Sequence, residues 1–135
     1  MSQKPEVGVA VILTRDDQVL LMKRKGPHGP GTWTVPGGHM DLGETPEQCG
    51  ARECKEEIGV DVVDLHFRAI TNDIFEGEDR QSISIWMDGR IQSGEPRIVA
   101  EKEASEIGWF SWDALPQPLY LPLRNFVKQN SYPPK

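Results

Sequence analysis

Gly38 to Val60 reads GHMDLGETPEQCGARECKEEIGV, and the middle of that stretch demands a short helix with a defined start and stop. Thr45-Pro46-Glu47-Gln48 has the form of a capping box, with Thr45 as N-cap, Pro46 at the first helical position and Gln48 at the third. Ala51, Cys54 and Ile58 then recur at i, i+3 and i+7 as a narrow apolar stripe, and Gly59 supplies the left-handed residue expected just past a helix end. The pattern predicts a helix from Pro46 to Ile58.

On that helix Glu53, Glu56 and Glu57 fall at i, i+3 and i+4, within about 40 to 60° of one another, roughly a quarter turn from the apolar stripe. At about 5.5 Å and an effective dielectric near 20, each like-charged pair costs roughly 3 kcal/mol if partly buried and a few tenths on a solvated face. A divalent cation turns that repulsion into affinity. Oxygen-only ligands select a hard ion, Mg²⁺ with Mn²⁺ as a substitute, over Zn²⁺. Arg52 stands one turn before Glu56 and can pair with it or with Glu44, orienting a ligand from behind. A Glu-rich helix alone reads as a solvated face, but such a face has no use for Gly38, Glu44 and Arg52 at fixed spacing.

Gly38, Glu44, Arg52-Glu53, Glu56-Glu57 and Gly59 occupy the identity positions of G-x5-E-x7-R-E-U-x-E-E-x-G-U, and the stretch thereby resembles the Nudix box. Chance agreement at ordinary residue frequencies is on the order of 10⁻⁸ per start position. Cys54 stands where the family usually places a bulky aliphatic, and a free Cys packs as a small hydrophobe. The resemblance implies hydrolysis of a nucleoside diphosphate linked to another group, by water attack at phosphorus with metal neutralising the developing charge. Carried over by residue, it makes Glu56 and Glu57 metal ligands and the Gly37 carbonyl a further one. Glu53 becomes the residue that orients or deprotonates the water, with a metal contact of its own. Glu44 is structural, tied to the helix through Arg52. In several family members an acidic residue of a later loop acts as ligand or base; Glu101 to Glu106 is the segment to supply it here, with Glu103 first and Glu101 second. These roles suit phosphoryl transfer, which depends on positioning and electrostatics.

At 135 residues and 15.2 kDa the chain is expected to form one domain over 1–135, with the tail 131–135 disordered. A net charge of −6 and a pI near 5.0 argue against a nucleic-acid polymer as partner, which requires a basic stripe, while a small anionic substrate such as the nucleotide that the resemblance implies can still be held by a few local cations and metal. The two cysteines, both on the predicted helix, fit neither a disulfide framework nor a zinc pattern and read as reduced thiols. No signal-like start and no apolar run near the roughly 20 residues of a membrane span is present, so a cytoplasmic chain without a membrane partner is expected. A homodimer is common in the resembled family, although no interface is legible.

Val7 to Thr14 and Val19 to Lys25 read as a hairpin joined by a polar turn, and Trp33 to Pro36 as a short third strand. Further strands are expected at Val60 to Phe75, Ser82 to Ile91 and Ile107 to Ser111. Leu119 to Gln129 reads as a helix that Pro122 breaks or delays. Strands, helix, strands, helix is an α+β order. It agrees with the Nudix fold that the resemblance implies from Gly8 to Phe126, a mixed β-sheet sandwiched between helices (α/β/α).

Lys23-Arg24-Lys25 ahead of a Gly/Pro loop suits phosphate capture, with Arg24 preferred because a guanidinium offers bidentate donors. A base pocket needs an apolar wall with a few polar contacts, and Gly8, Thr34, His39, Leu42, Phe75 and Ser84 are the candidates, with Trp33 either wall or core. The KRKG segment and a box opening Pro36-Gly37-Gly38-His39 are similar to MutT-like nucleoside-triphosphate diphosphatases. That implies conversion of a triphosphate, ordinary, oxidised or otherwise modified, to monophosphate and pyrophosphate. The alternatives are a hydrolase of ADP-ribose or nucleotide sugars and, of another class, a nucleotide-binding sensor without chemistry. The proline expected beyond the box in ADP-ribose hydrolases is absent from Ile74-Phe75-Glu76-Gly77.

Overall fold

The computed structural model describes residues 4–129; the expectation for the tail 131–135 lies outside them. The order is β1 (Glu6–Arg15), β2 (Gln18–Arg24), β3 (Trp33–Thr34), β4 (Gly37–His39), α1 (Pro46–Ile58), β5 (Asp61–Phe75), β6 (Arg80–Ser93), β7 (Ala104–Ser111), a 3-10 turn (Trp112–Ala114) and α2 (Leu121–Gln129).

Asp16 and Asp17 join β1 to β2 with φ of 52° and 64°, the paired left-handed conformation whose twist suits a tight hairpin. The two strands pair at this turn, Thr14 with Val19 and Arg15 with Gln18. Elsewhere their partners differ. β1 runs parallel to β6, from Glu6 opposite Ser82 to Leu13 opposite Gly89, and antiparallel to β4. β2 is antiparallel to β7 and to β3, while β5 and β6 form a long antiparallel ribbon. Away from the turn β1 and β2 are thus drawn to separate neighbours, and the sheet opens between them.

Two cores flank this sheet. Cys49, Cys54 and Ile58 of α1 bury their stripe against Val9, Val11, Leu20 and Met87. On the other side Leu123 and Phe126 of α2 meet Ile12, Leu21, Trp33 and Trp86, the rings of Trp86 and Phe126 stacking at 4.5 Å. Each such large side chain contributes about 1.5–3 kcal/mol by leaving water. The expected mixed sheet between helices is the observed architecture. No helix among the described residues is long and apolar enough to cross a membrane.

α1 has the predicted bounds, with both arms of the capping box formed at Thr45 and Gln48 and a left-handed Gly59 at its end. Three details differ from the sequence expectations. The third strand ends at Thr34, short of Pro36, which has no N–H to donate to a ladder. β4 is a strand that no sequence signal announces, since it opens with two glycines. α2 starts at Leu121 rather than Leu119, the delayed start of the two alternatives, and Pro122 does not break it because a first-turn N–H has no intrahelical acceptor to lose. Trp33 resolves to core, buried edge-on against Phe110 at 5.0 Å.

Candidate active site

β4 runs against the acidic face of α1 because its glycines allow the backbone to approach. A Cβ at Gly38 would overlap the Glu53 carboxylate, and one at Gly37 would collide with the Val9 carbonyl. The Gly37 N–H donates to Glu57 Oε1 at 2.9 Å. Glu53 is left with 15% of its side chain exposed, while Glu56, on the outer side of the ridge, retains 57%.

The loop after β6 brings Glu103 to the same place. Backbone N–H groups of Val99 and Lys25 donate to the carbonyls of Glu57 and Glu103, each at 2.9 Å, and Lys25 Nζ reaches the Glu101 carbonyl at 2.9 Å. Burial is the main cause of the high pKa of Glu57, pushed up to about 8; Glu53 and Glu103 add to it, and the Gly37 N–H and Arg24 oppose it. Glu53 is pushed to about 7, again by burial first, opposed by Arg52 and reinforced by Glu56 and Glu103. Carboxyls buried deeply enough, and close enough to one another, to hold protons at neutral pH are a common mark of a functional site.

Arg52 ties the loop to the helix. Its Nε and Nη2 grip the two oxygens of Glu44 at 2.6 and 3.0 Å, Nη1 reaches Glu56 Oε1 at 3.2 Å, and Nη2 also donates to the His39 carbonyl at 3.1 Å. Glu44 in turn accepts from Asp41 N–H at 2.9 Å. The Arg52 hydrogen bond is the chief reason the Glu44 carboxyl is held down near pKa 2. Both expected partners of Arg52 are therefore engaged at once.

A cavity of about 530 Å³ opens between the splayed strands, within the size of ligand sites generally. Glu53, Glu57 and Glu103 line one side, with Gly37, Gly38 and Arg52 beside them; Arg24, Thr34, His39, Gly8 and Ser84 line the remainder. Glu56 and Glu44 do not line it. Leu42 is fully exposed on the box loop and away from the cavity, and Phe75 is buried behind Arg80 and Tyr120, with the Arg80 guanidinium carbon 4.2 Å from its ring centroid. Arg80, Ser82, Lys102 and Tyr120 also face the cavity and were not anticipated. Ser82 had a signal: Ser82-Ile83-Ser84-Ile85 alternates with period two, and on a central strand the polar face has to meet a cavity or a partner. Tyr120, in the loop ahead of α2, gave none.

Among the described residues no three His, Cys, Asp or Glu side chains converge as a ready-made metal cage. The all-carboxylate set does not suit a closed tetrahedral zinc site. It suits a hard ion that takes one or two carboxylates and completes its shell with substrate phosphate oxygens and water.

Comparison with known proteins follows the same lines. Residues 4–129 match the NUDIX domain family. The "NAD-capped RNA hydrolase NudC" of Pseudomonas aeruginosa is 37% identical over 106 residues, covering 78% of this chain and 36% of that protein. The "RNA pyrophosphohydrolase" of Aeromonas hydrophila is 48% identical over 66 residues, 49% of this chain and 35% of its own length. The chain thus spans about a third of the length of these relatives. Among solved structures, a MutT NUDIX hydrolase from Burkholderia pseudomallei superposes with a TM-score of 0.89 at 32% identity, covering 96% of this chain and all of that one. With the family match running the length of the described chain and a solved member matching it end to end, the chain belongs to the Nudix hydrolase family.

Proposed function

We propose that the chain catalyses metal-dependent hydrolysis of nucleoside triphosphates to the monophosphate and pyrophosphate. The observation that carries this reading is the joining, in one cavity, of the carboxylates Glu53, Glu57 and Glu103 with the cations Arg24, Lys25 and Lys102. Arg24 donates Nε to the His28 carbonyl at 2.9 Å and lies 4.0 Å over the Tyr120 ring, which holds the guanidinium in place to receive phosphate oxygens. Likeness over the full length of a MutT NUDIX hydrolase supports the same reading.

Mg²⁺, or Mn²⁺ in its place, held by Glu57 with Glu53 and the Gly37 carbonyl, would neutralise charge developing on the phosphoryl oxygens, and Glu56, turned outward into its ion pair with Arg52, would join them only by swinging in. Glu53 orients the attacking water and takes its proton, a role that its place beside Glu57 and Glu103 on the cavity wall allows. As the water oxygen bonds to phosphorus, the bond from that phosphorus to the oxygen bridging the α and β phosphates breaks, which gives monophosphate and pyrophosphate. Glu103 is the second candidate for that proton, and Arg52 and Glu44 keep the box loop registered on α1. Thr34 and His39 border the substrate space; Leu42 is too far out to do so in this conformation, and Phe75 supports it from behind.

A second reading comes from the names of the curated relatives, that the bond cleaved is the pyrophosphate of an RNA 5′ end or of an NAD cap. The test is release of pyrophosphate and orthophosphate, with and without Mg²⁺, from nucleoside triphosphates, NAD, ADP-ribose, nucleotide sugars and a 5′-triphosphorylated RNA. Metal-dependent monophosphate and pyrophosphate from free triphosphates is the expected result. Turnover confined to NAD or RNA would replace the substrate class, and binding of nucleotides without turnover would point to a sensor.

A further inference from the structure

β1 and β2 part beyond their hairpin turn and the cavity fills the gap, so another contact has to fix where Arg24, at the end of β2, stands relative to Glu6, at the start of β1. One run of side chains makes that crossing. Glu6 Oε1 accepts from Arg80 Nε of β6 at 3.2 Å, and Arg80 Nη2 donates to the Tyr120 hydroxyl at 3.3 Å. The Tyr120 ring in turn supports the Arg24 guanidinium, whose carbon lies 4.0 Å from the ring centroid.

Each link is also held from the side. The Arg80 guanidinium carbon is 4.2 Å from the Phe75 ring centroid, and the Phe75 and Tyr120 rings are 5.7 Å apart. The Tyr120 N–H donates to the Trp33 carbonyl at 2.9 Å, and a Cβ on Gly29 would come within 2.9 Å of the tyrosine ring, so β3 and the loop before it fix both its backbone and its ring.

Glu6 does not line the cavity, whereas Arg80, Tyr120 and Arg24 do. A carboxylate can only accept, so it offers phosphate nothing, and by charge alone its removal favours an anion. Its contact with Arg80 acts the other way. A guanidinium is a rigid fork, so holding Nε fixes the direction of Nη2 and with it the place of the Tyr120 hydroxyl. An Arg24 kept in one orientation by that ring loses less freedom when it meets phosphate.

We infer that Glu6 is a positioning residue for phosphate recognition, acting through Arg80 and the Tyr120 hydroxyl on Arg24. This rests on the reading above that Arg24 meets the substrate's phosphates, and not on which nucleotide is cleaved. Glu6 Oε2 also lies 3.6 Å from His39 Nε2, which lines the cavity too, so the test has to separate two routes.

Calorimetric binding of inorganic tripolyphosphate, in EDTA at low salt, reads the phosphate contact without base, metal or turnover. Arg24→Ala should weaken it about tenfold or more, as for loss of a hydrogen bond to a charged group. Glu6→Ala should weaken it about three- to tenfold although a negative charge is removed, and Tyr120→Phe, which keeps the ring and loses the hydroxyl, should fall in the same range. Both cut one relay, so the double variant should bind no worse than the worse single one, and neither change should add to Arg24→Ala. With Mg²⁺ and a nucleoside triphosphate, each single variant should raise KM with kcat nearly unchanged, the split expected when binding rather than chemistry is touched.

Melting curves check that each variant folds, and Tyr120→Phe, the milder change, decides the matter if Glu6→Ala does not. Binding that tightens or stays equal in Glu6→Ala, or is intact in Tyr120→Phe, would overturn the relay. So would a Glu6→Ala effect that persists in full beside Tyr120→Phe, which would assign it to His39. No binding by wild type, or no loss in Arg24→Ala, would remove the phosphate contact and the inference with it. Coupled losses of tripolyphosphate binding in a protein that turns over no triphosphate would uphold the relay and remove the reaction instead.

Discussion

Glu53, Glu56 and Glu57 share a ridge by helical periodicity, but their surroundings divide them. Glu57 is held by the Gly37 N–H and Glu53 lies under Gly38, whereas Glu56 points outward into its ion pair with Arg52. Glu57→Gln keeps an oxygen for the Gly37 N–H and removes the charge, so the fold should persist. Turnover should fall on the order of 10²-fold or more, beyond the 10- to 100-fold usual for losing an outer partner of a metal ligand. Glu56→Gln should cost less; a loss equal to that of Glu57→Gln in the same steady-state assay would show that Glu56 swings in to bind metal. Gly38→Ala tests the close approach itself. Its methyl must displace the Glu53 carboxylate, and overpacking of this kind typically costs about 1–3 kcal/mol, so both melting temperature and turnover should drop together.

At the scale of elements, α1 is where local sequence and tertiary role agree most fully. Thr45 Oγ1 accepts from the Gln48 N–H at 3.1 Å and Gln48 Oε1 from the Thr45 N–H at 2.9 Å, a reciprocal cap far along the helix from Glu57. Thr45→Ala should therefore lower stability by about 1 kcal/mol in denaturant melts, with kcat much less affected than by Glu57→Gln. A loss of activity as large as that of Glu57→Gln would show that the cap sets the carboxylate geometry. The same agreement explains why α1, the β1–β2 hairpin and the pairing of Arg52 with Glu44 were legible in the chain: each is specified by residues close in sequence or by a fixed motif spacing. β4 was not, because Gly37 and Gly38 look like loop until Val9 and Glu53 are brought against them. Leu42 could be named only from its nearness to the box, and proximity in sequence does not fix which way a loop residue faces. Arg80 and Tyr120 meet across 40 residues of chain, and no local pattern announces such a contact.

For the molecule as a whole, these carboxyls set opposing dependences of stability on pH. Glu44 is held near pKa 2 in the fold against an ordinary 4.5, so its contribution is complete above pH 4.5 and is lost as pH falls toward 2. Glu53 and Glu57 run the other way, with folded values of about 7 and 8 against 4.5. Below pH 4.5 both states hold these protons and nothing is lost. Between 4.5 and 8 the unfolded chain releases them first, the fold binds more protons, and stability declines until both carboxyls ionise in the fold. In EDTA the melting temperature should therefore fall from mildly acidic pH toward pH 8, and Glu57→Gln should flatten that slope, matching wild type near pH 4.5 and exceeding it at pH 8. Mg²⁺ should raise the wild-type melting temperature most at the alkaline end, since a cation binds the ionised carboxylates and stabilises whichever state holds it. A wild-type curve in EDTA that is flat or rises from pH 5 to 8 would show that Glu53 and Glu57 are not held buried beside one another without a cation, and with it the physical reason for a metal at this site would fail.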